Sequence, residues 1–183
     1  MFEMDIDSIR VNLINYQRVV ILKEKSAERF LPIWIGPSEA ESIAICLQEV
    51  SVGRPMTHDL LVDVIKKSGA TVSAVFISEL SNDTFYAKII LERDSEKIDI
   101  DSRPSDAIAL AVRVRAPIFV DDSVLDKAGV YIDKDSGKPI IPSEEIEPSP
   151  DDFNVSEQEL ENLSAFTEFV EELNLDNLGD NQS

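Results

Sequence analysis

The sequence predicts an α+β fold: a largely antiparallel or mixed sheet with helices packed on it, followed by a C-terminal amphipathic helix. Three observations predict it. The apolar residues switch between a period of two and a period of 3.6. The resulting order is strands, two helices, strands, helix, short strand, helix, which is not a regular βαβ array. Polar turns join neighbouring strand segments directly, above all Ser81-Asn82-Asp83 between Val72–Leu80 and Thr84–Glu92, as in a hairpin. The stretch Asp101 to Leu110 passes straight from a strand into a helix. Pro104 suits the first helical position, because its fixed φ is helical and the amide it lacks would have no partner there.

Met4 to Leu13 alternates polar and apolar, Asn15-Tyr16-Gln17 turns, and Arg18 to Lys23 returns as the second strand of a hairpin. Phe30 to Ile35 is a third strand, in which Pro32 suggests an edge or a bulge. Ser38-Glu39-Ala40-Glu41 has the form of a capping box. The helix it opens places Ile43, Ala44, Leu47 and Val50 on one face and stops at Gly53-Arg54-Pro55. Thr57 reads as the next N-cap, with His58 and Asp59 in the first turn, Leu60, Leu61, Val64 and Ile65 as the buried stripe, and Gly69 at the C-terminal end. After the hairpin, Asp94-Ser95-Glu96 turns into a short strand, Lys97 to Ile100. The helix from Pro104 is expected to end near Arg115, with Ala107, Leu110, Ala111 and Val114 on its buried face. Pro117 to Val120 reads as a short buried strand, and Asp121-Asp122 as the cap of a small helix, Ser123 to Ala128, closed by Gly129. Val130 to Ile141 has the form of a hairpin around Ser136-Gly137.

The chain has 183 residues, 43% of them hydrophobic, enough for one domain with a real core and an appendage. The expected division is a domain over 1–132, an acidic proline-containing linker over 133–155, an acidic amphipathic helix over 156–175 and a disordered tail over 176–183. The helix carries Leu160, Leu163, Phe166, Val170 and Leu173 at helical spacing behind a Ser156–Glu159 capping box. The net charge of −19 is unevenly placed: residues 143–183 carry 13 acidic and no basic side chains, which leaves residues 1–142 at −6. Bulk electrostatics oppose nucleic-acid binding, so such a role requires a local basic group or bound metal. The single cysteine, Cys46, excludes an internal disulfide and reads as a buried thiol. No signal peptide is visible and no apolar run reaches the ~20 residues of a membrane span. A cytoplasmic protein with no membrane partner is expected.

Several separate segments share one order along the chain: Leu31-Pro32-Ile33-Trp34-Ile35-Gly36, Glu39-Ala40, Arg54-Pro55, Thr57-His58-Asp59-Leu60, Thr84-Phe85-Tyr86-Ala87, Asp101, Arg103 through Leu110, and Pro117-Ile118-Phe119-Val120. Together they resemble the bifunctional nuclease domain family, long known as a domain of unknown function, over roughly residues 1 to 132. The resemblance implies a compact α+β domain that self-associates and a nuclease of low sequence specificity acting on DNA and RNA. The acidic C-terminal helix resembles the tail of bacterial members.

The residues themselves carry no standard catalytic motif: no glycine-rich phosphate loop, no HExxH, no CxxC and no nucleophile elbow. A nuclease with this composition is expected to use metal-assisted hydrolysis, with carboxylates holding Mg²⁺ or Mn²⁺. The candidate metal ligands are Glu39, Asp59, Asp101 and Asp106. The candidate catalytic residues are His58, Asp59 and Asp106, His58 as a general base or to orient water. The candidate substrate-binding residues are Arg54, Arg103 and Ser105, the arginines suiting bidentate phosphate contacts. Each also has a structural reading. Glu39, Asp59 and Asp106 suit first helical turns, where free amides and the dipole favour negative charge. Asp101 with Arg103 suits an ion pair at the strand–helix junction. Lys66-Lys67 and Arg113-Arg115 read as solvated helix ends, and Phe85-Tyr86 as core. Two further functional classes fit the same residues: a non-enzymatic oligomeric assembly module, and a small-anion sensor using the helix starts.

Overall fold

The computed structural model describes residues 1–11, 16–132 and 139–140. The expected linker, C-terminal helix and tail lie outside the described residues. The chain divides into two units, Met1–Gly129 and Val130–Ser183.

The first unit contains β1 (Phe2–Val11), β2 (Arg18–Glu24), β3 (Arg29–Ile35), α1 (Pro37–Leu47), α2 (Thr57–Lys67), β4 (Thr71–Ser81), β5 (Thr84–Arg93), β6 (Glu96–Ser102), α3 (Pro104–Val114), β7 (Ile118–Val120) and α4 (Asp122–Ala128). Its strands run in the order β6-β5-β4-β7-β1-β2-β3. Every pairing is antiparallel except β4 with β7, so the sheet is mixed and the fold is α+β. In the second unit β8 (Val130–Ile132) pairs antiparallel with β9 (Pro139–Ile140), as the hairpin pattern predicts.

The turns follow from local chemistry. Asn82 and Asp83 both have positive φ, 48° and 55°, the mirror-image turn that a two-residue hairpin needs. Asp94 and Ser95 repeat it between β5 and β6, at 52° and 66°. Gly69, at φ 80°, sits just past α2 and ends it. Asp121 caps α4 by accepting the Ser123 amide at 3.0 Å.

Helix α3 is the centre of the core. Pro104, Ser105 and Ala107 to Ala111 are all buried, and small residues let α1 and α2 pack against it while it lies on β4 and β5. Val20, Leu22, Leu31, Ile33, Val75, Ile77, Ala87 and Ile89 supply the sheet side of that core. At roughly 25 cal/mol per Å² of apolar surface removed from water, this burial is the main stabilising contribution.

Several local expectations fail. Helix α1 begins two residues earlier than a Ser38 cap requires. Gly36 is its N-cap and Pro37 its first residue, so Ser38 lies inside the helix and no capping box forms. The helix also ends at Leu47, which leaves Leu47 and Val50 exposed instead of on the buried face. In α2 the N-cap is Met56, not Thr57. Its buried residues are His58, Val62 and Ile65, whereas Leu60, Leu61 and Val64 are exposed. The helix turns a polar residue, His58, toward α1 and α3, and this rotates the apolar stripe outward. Arg113 is no solvated helix end: its side chain is 7% exposed. Tyr86 is exposed while Phe85 packs partly against the core, and Cys46 is half-buried.

Candidate functional site

The first turns of three helices meet in one polar network. Glu39 belongs to the first turn of α1, His58 and Asp59 to that of α2, and Asp106 to that of α3. Arg103, the N-cap of α3, holds the outer end. Its Nε donates to Asp106 Oδ2 at 2.7 Å, and its Nη2 donates to Asp106 Oδ1 at 3.1 Å and to Glu39 Oε1 at 2.8 Å. This fork-to-fork geometry suits a guanidinium and a carboxylate. Both partners raise the Arg103 pKa, Asp106 more than Glu39. The two N–H groups on Nη1 make no bond within the network, and the side chain is 67% exposed.

Asp106 also faces His58, whose Nε2 stands 3.2 Å from Oδ1. Burial alone would push the Asp106 carboxyl up. Hydrogen bonds from Arg103 and then His58, together with their charges, outweigh it and hold the group below its ordinary 3.8. On the other side of the ring, His58 Nδ1 lies 2.9 Å from Ser42 Oγ in α1. Ser42 in turn accepts from Arg113 Nη2 at 2.9 Å. Arg113 is fixed by Asp59 Oδ1, 2.6 Å from its Nε, and by the Ala109 carbonyl, 2.8 Å from its Nη1. Asp59 closes the network by accepting the Met56 amide at 2.7 Å. Burial would raise its carboxyl, but the Met56 amide and Arg113 together lower it.

The sequence-derived candidates are therefore only partly brought together. Glu39, His58, Asp59, Arg103 and Asp106 share the network. Asp101 does not: it pairs in register with Lys88, on the face of β6 opposite Ser102, which pairs with the buried Ala87. Arg103 forms its ion pairs with Asp106 and Glu39 instead. Arg54 is exposed in the loop before α2 and makes no ion pair among the described residues. Ser105 is buried in the first turn of α3 and bonds neither Arg103 nor His58.

Ser42 and Arg113 are the members that sequence reasoning missed. The signal for Ser42 was a hydroxyl on the buried side of α1 among Ala40 and Ile43. For Arg113 it was a cation four residues beyond Ala109 in a helix otherwise buried on that side. The constellation of serine, histidine and aspartate does not make a nucleophile: Ser42 is 2% exposed and its oxygen accepts from Arg113.

The donor set does not fit a divalent ion as it stands. Among the described residues no three His, Cys, Asp or Glu side chains are placed to hold a metal. Glu39 and Asp106 both surround the Arg103 guanidinium, and Asp59 is tied to Arg113.

Fold and site define an α+β domain whose polar centre is built from three helix starts around an exposed, doubly paired arginine. The Bifunctional nuclease domain model matches residues 20–133, and the chain belongs to that family. It is 40% identical over 167 residues to an uncharacterised protein of Mycobacterium tuberculosis, covering 85% of this chain and 100% of that protein. It is 29% identical over 133 residues to Bifunctional nuclease 2 of Arabidopsis thaliana, covering 69% of this chain and 40% of the plant protein. With Bifunctional nuclease 1 of Oryza sativa subsp. japonica the identity is 23% over 149 residues, 80% of this chain and 41% of that protein. The chain thus spans less than half the length of these plant relatives.

Proposed function

We propose that this protein hydrolyses phosphodiester bonds of DNA and RNA with low sequence specificity, at the junction of α1, α2 and α3. The observation that carries the reading is Arg103: an exposed guanidinium, oriented by two carboxylates, with the N–H pair of Nη1 free to receive a phosphate. Helix starts around it supply amides that favour the same charge. Asp106 and His58 stand beside it as the pair that handles water and protons. Mg²⁺ or Mn²⁺ would have to draw Glu39 and Asp106 away from Arg103, or Asp59 away from Arg113, to bind at this junction. A cytoplasmic location accompanies this reading, and among the described residues no helix is long and apolar enough to cross a membrane. The acidity of the chain opposes nucleic-acid binding and makes it weak.

The test is nuclease activity on single- and double-stranded DNA and on RNA, with and without EDTA, for the protein, Asp106→Asn and His58→Ala purified identically. A drop of at least ~100-fold in a folded variant supports catalysis at this site, and loss in EDTA adds a metal to it. Equal activity in all three proteins points to a contaminating nuclease and ends the proposal.

A second reading, a self-associating assembly module, is favoured by α2. Leu60, Leu61 and Val64 are 59%, 36% and 55% exposed on one helix, more apolar surface than a solitary helix face explains. Self-association through this face is compatible with catalysis, because His58 and Asp59 turn inward from the same helix.

A further inference from the structure

We propose that Ser42 and Arg113 are positioning residues that hold His58 as its Nε2–H tautomer, so that the imidazole presents a donor to Asp106 and not a base. The inference deepens the hydrolase reading and concerns its proton chemistry.

The direction follows from which groups are able to donate. A guanidinium only donates. Arg113 is fixed by Asp59 and the Ala109 carbonyl, and its Nη2 lies 2.9 Å from Ser42 Oγ, so the serine oxygen accepts there. A hydroxyl has one hydrogen. Among the described residues the remaining partner of Ser42 Oγ is His58 Nδ1, at 2.9 Å. That hydrogen therefore points to Nδ1, which must offer its lone pair. A neutral imidazole protonated at one nitrogen accepts at the other, so the proton is on Nε2.

The opposite end of the ring demands the same. Nε2 lies 3.2 Å from Asp106 Oδ1, and Asp106 is a carboxylate paired with Arg103, an acceptor only. The Nδ1–H tautomer would set a ring lone pair against that carboxylate. It would also leave the Ser42 hydrogen without an acceptor in a site where the serine is 2% exposed. The chain Arg113→Ser42→His58→Asp106 thus runs in one direction through α3, α1, α2 and back to α3. It turns the Nδ1 lone pair inward, toward Ser42. His58 keeps its Nε2 proton and donates it as a hydrogen bond to Asp106, and the water-activating role falls to the carboxylate.

His58 is the single histidine of the chain, so its ring nitrogens are read without assignment ambiguity. The experiment is a long-range ¹H–¹⁵N correlation spectrum of the ¹⁵N-labelled full chain at about pH 9, where imidazole is ordinarily neutral. It is repeated for Asp106→Asn, Ser42→Ala and the double variant, each checked for a folded amide spectrum. The expected result is a protonated Nε2 and a hydrogen-bonded, unprotonated Nδ1 in the parent protein. In Asp106→Asn the Nε2–H form persists, because the relay from Arg113 still holds it. In Ser42→Ala the Nδ1 signal moves toward that of a nitrogen with no hydrogen bond, and in the double variant the two tautomers average. A protonated Nδ1 in the parent overturns the proposal. So does averaging in Asp106→Asn alone, which would make the carboxylate the sole determinant. The spectrum reads the relay in the absence of any turnover. An inactive protein with the Nε2–H signature sinks the hydrolase reading alone, and an active one with Nδ1–H sinks the relay alone.

Discussion

Glu39 folds its carboxylate back over Gly36, the N-cap of its own helix, so closely that a Cβ on Gly36 would overlap Oε2. The glycine is needed there for space and not for its backbone angles, since φ is −67° and ψ 157°, open to any residue. The same fold-back delivers Oε1 to Arg103.

Gly36→Ala is therefore expected to displace Glu39 from Arg103 while leaving the helix intact. The overlapping atom is the tip of a flexible side chain, so the stability change is expected to stay below about 1 kcal/mol. Its phenotype on phosphate binding and nuclease activity should match that of Glu39→Gln. Thermal melts beside activity assays on both variants check this. A large loss of stability in Gly36→Ala would mean that the backbone, and not Glu39, gives way.

Arg103→Lys should lower activity by at least ~10-fold although charge is kept. A single ammonium cannot hold both oxygens of Asp106, reach Glu39 and still keep two further N–H groups directed outward. Activity equal to the parent's would reduce Arg103 to a point charge.

Stability should fall at acid pH through this site. Asp106 and Asp59 both titrate below their ordinary 3.8 in the folded protein. A carboxyl with a depressed folded pKa binds fewer protons folded than unfolded above that value. Its contribution is present in full above about pH 4 and is lost as pH falls from there through the folded pKa. Asp106→Asn and Asp59→Asn should each flatten the acid limb of a urea-midpoint profile measured between about pH 6 and pH 2. A limb as steep as the parent's in both variants would place the acid-sensitive groups elsewhere.

Away from the site, Glu24 and Arg29 form an ion pair at 2.9 Å, with side chains 4% and 9% exposed. Arg29 also lies over the Phe2 ring, 4.5 Å from its centroid, and Ser26 Oγ donates to Glu24 at 2.5 Å. Glu24→Ala removes the buried carboxylate partner of Arg29 but leaves Asp126 3.7 Å from Nη1, so a loss of about 1–3 kcal/mol in urea unfolding is expected. Activity per folded molecule should not change, because the pair shares no residue with the α1–α2–α3 network. A loss under ~1 kcal/mol would show the pair to be solvated in practice.

Leu60→Glu is expected to leave the fold intact and to shift sedimentation toward monomer. The side chain is 59% exposed and takes no part in the core. An unchanged sedimentation profile would remove this face from any account of self-association.

The elements were legible because each is written in neighbours along the chain. Alternation marks β4 and β5, Asn82-Asp83 supplies the positive-φ turn between them, Pro104 starts α3, and Gly69 ends α2. That His58, Asp59 and Asp106 stand at helix starts was equally local. The buried face of α2 was not. Leu60 and Val64 have the spacing of a core stripe, but His58 must reach Ser42 and Asp106, and that tertiary requirement sets the rotation of the helix.

Local patterning along the chain thus sets which elements form, in what order, and which polar residues begin the helices. Which of those residues meet is set by packing between elements far apart in the chain. Glu39 to Arg103 spans 64 residues, His58 to Asp106 spans 48, and Ser42 to Arg113 spans 71. That packing joins Ser42 and Arg113 to the site and leaves Asp101 and Arg54 outside it. The physical reason is that backbone propensity, capping and turn chemistry act within a few residues, whereas a hydrogen bond between helices exists only once the apolar packing of α1 and α2 on α3 has set their distance and rotation.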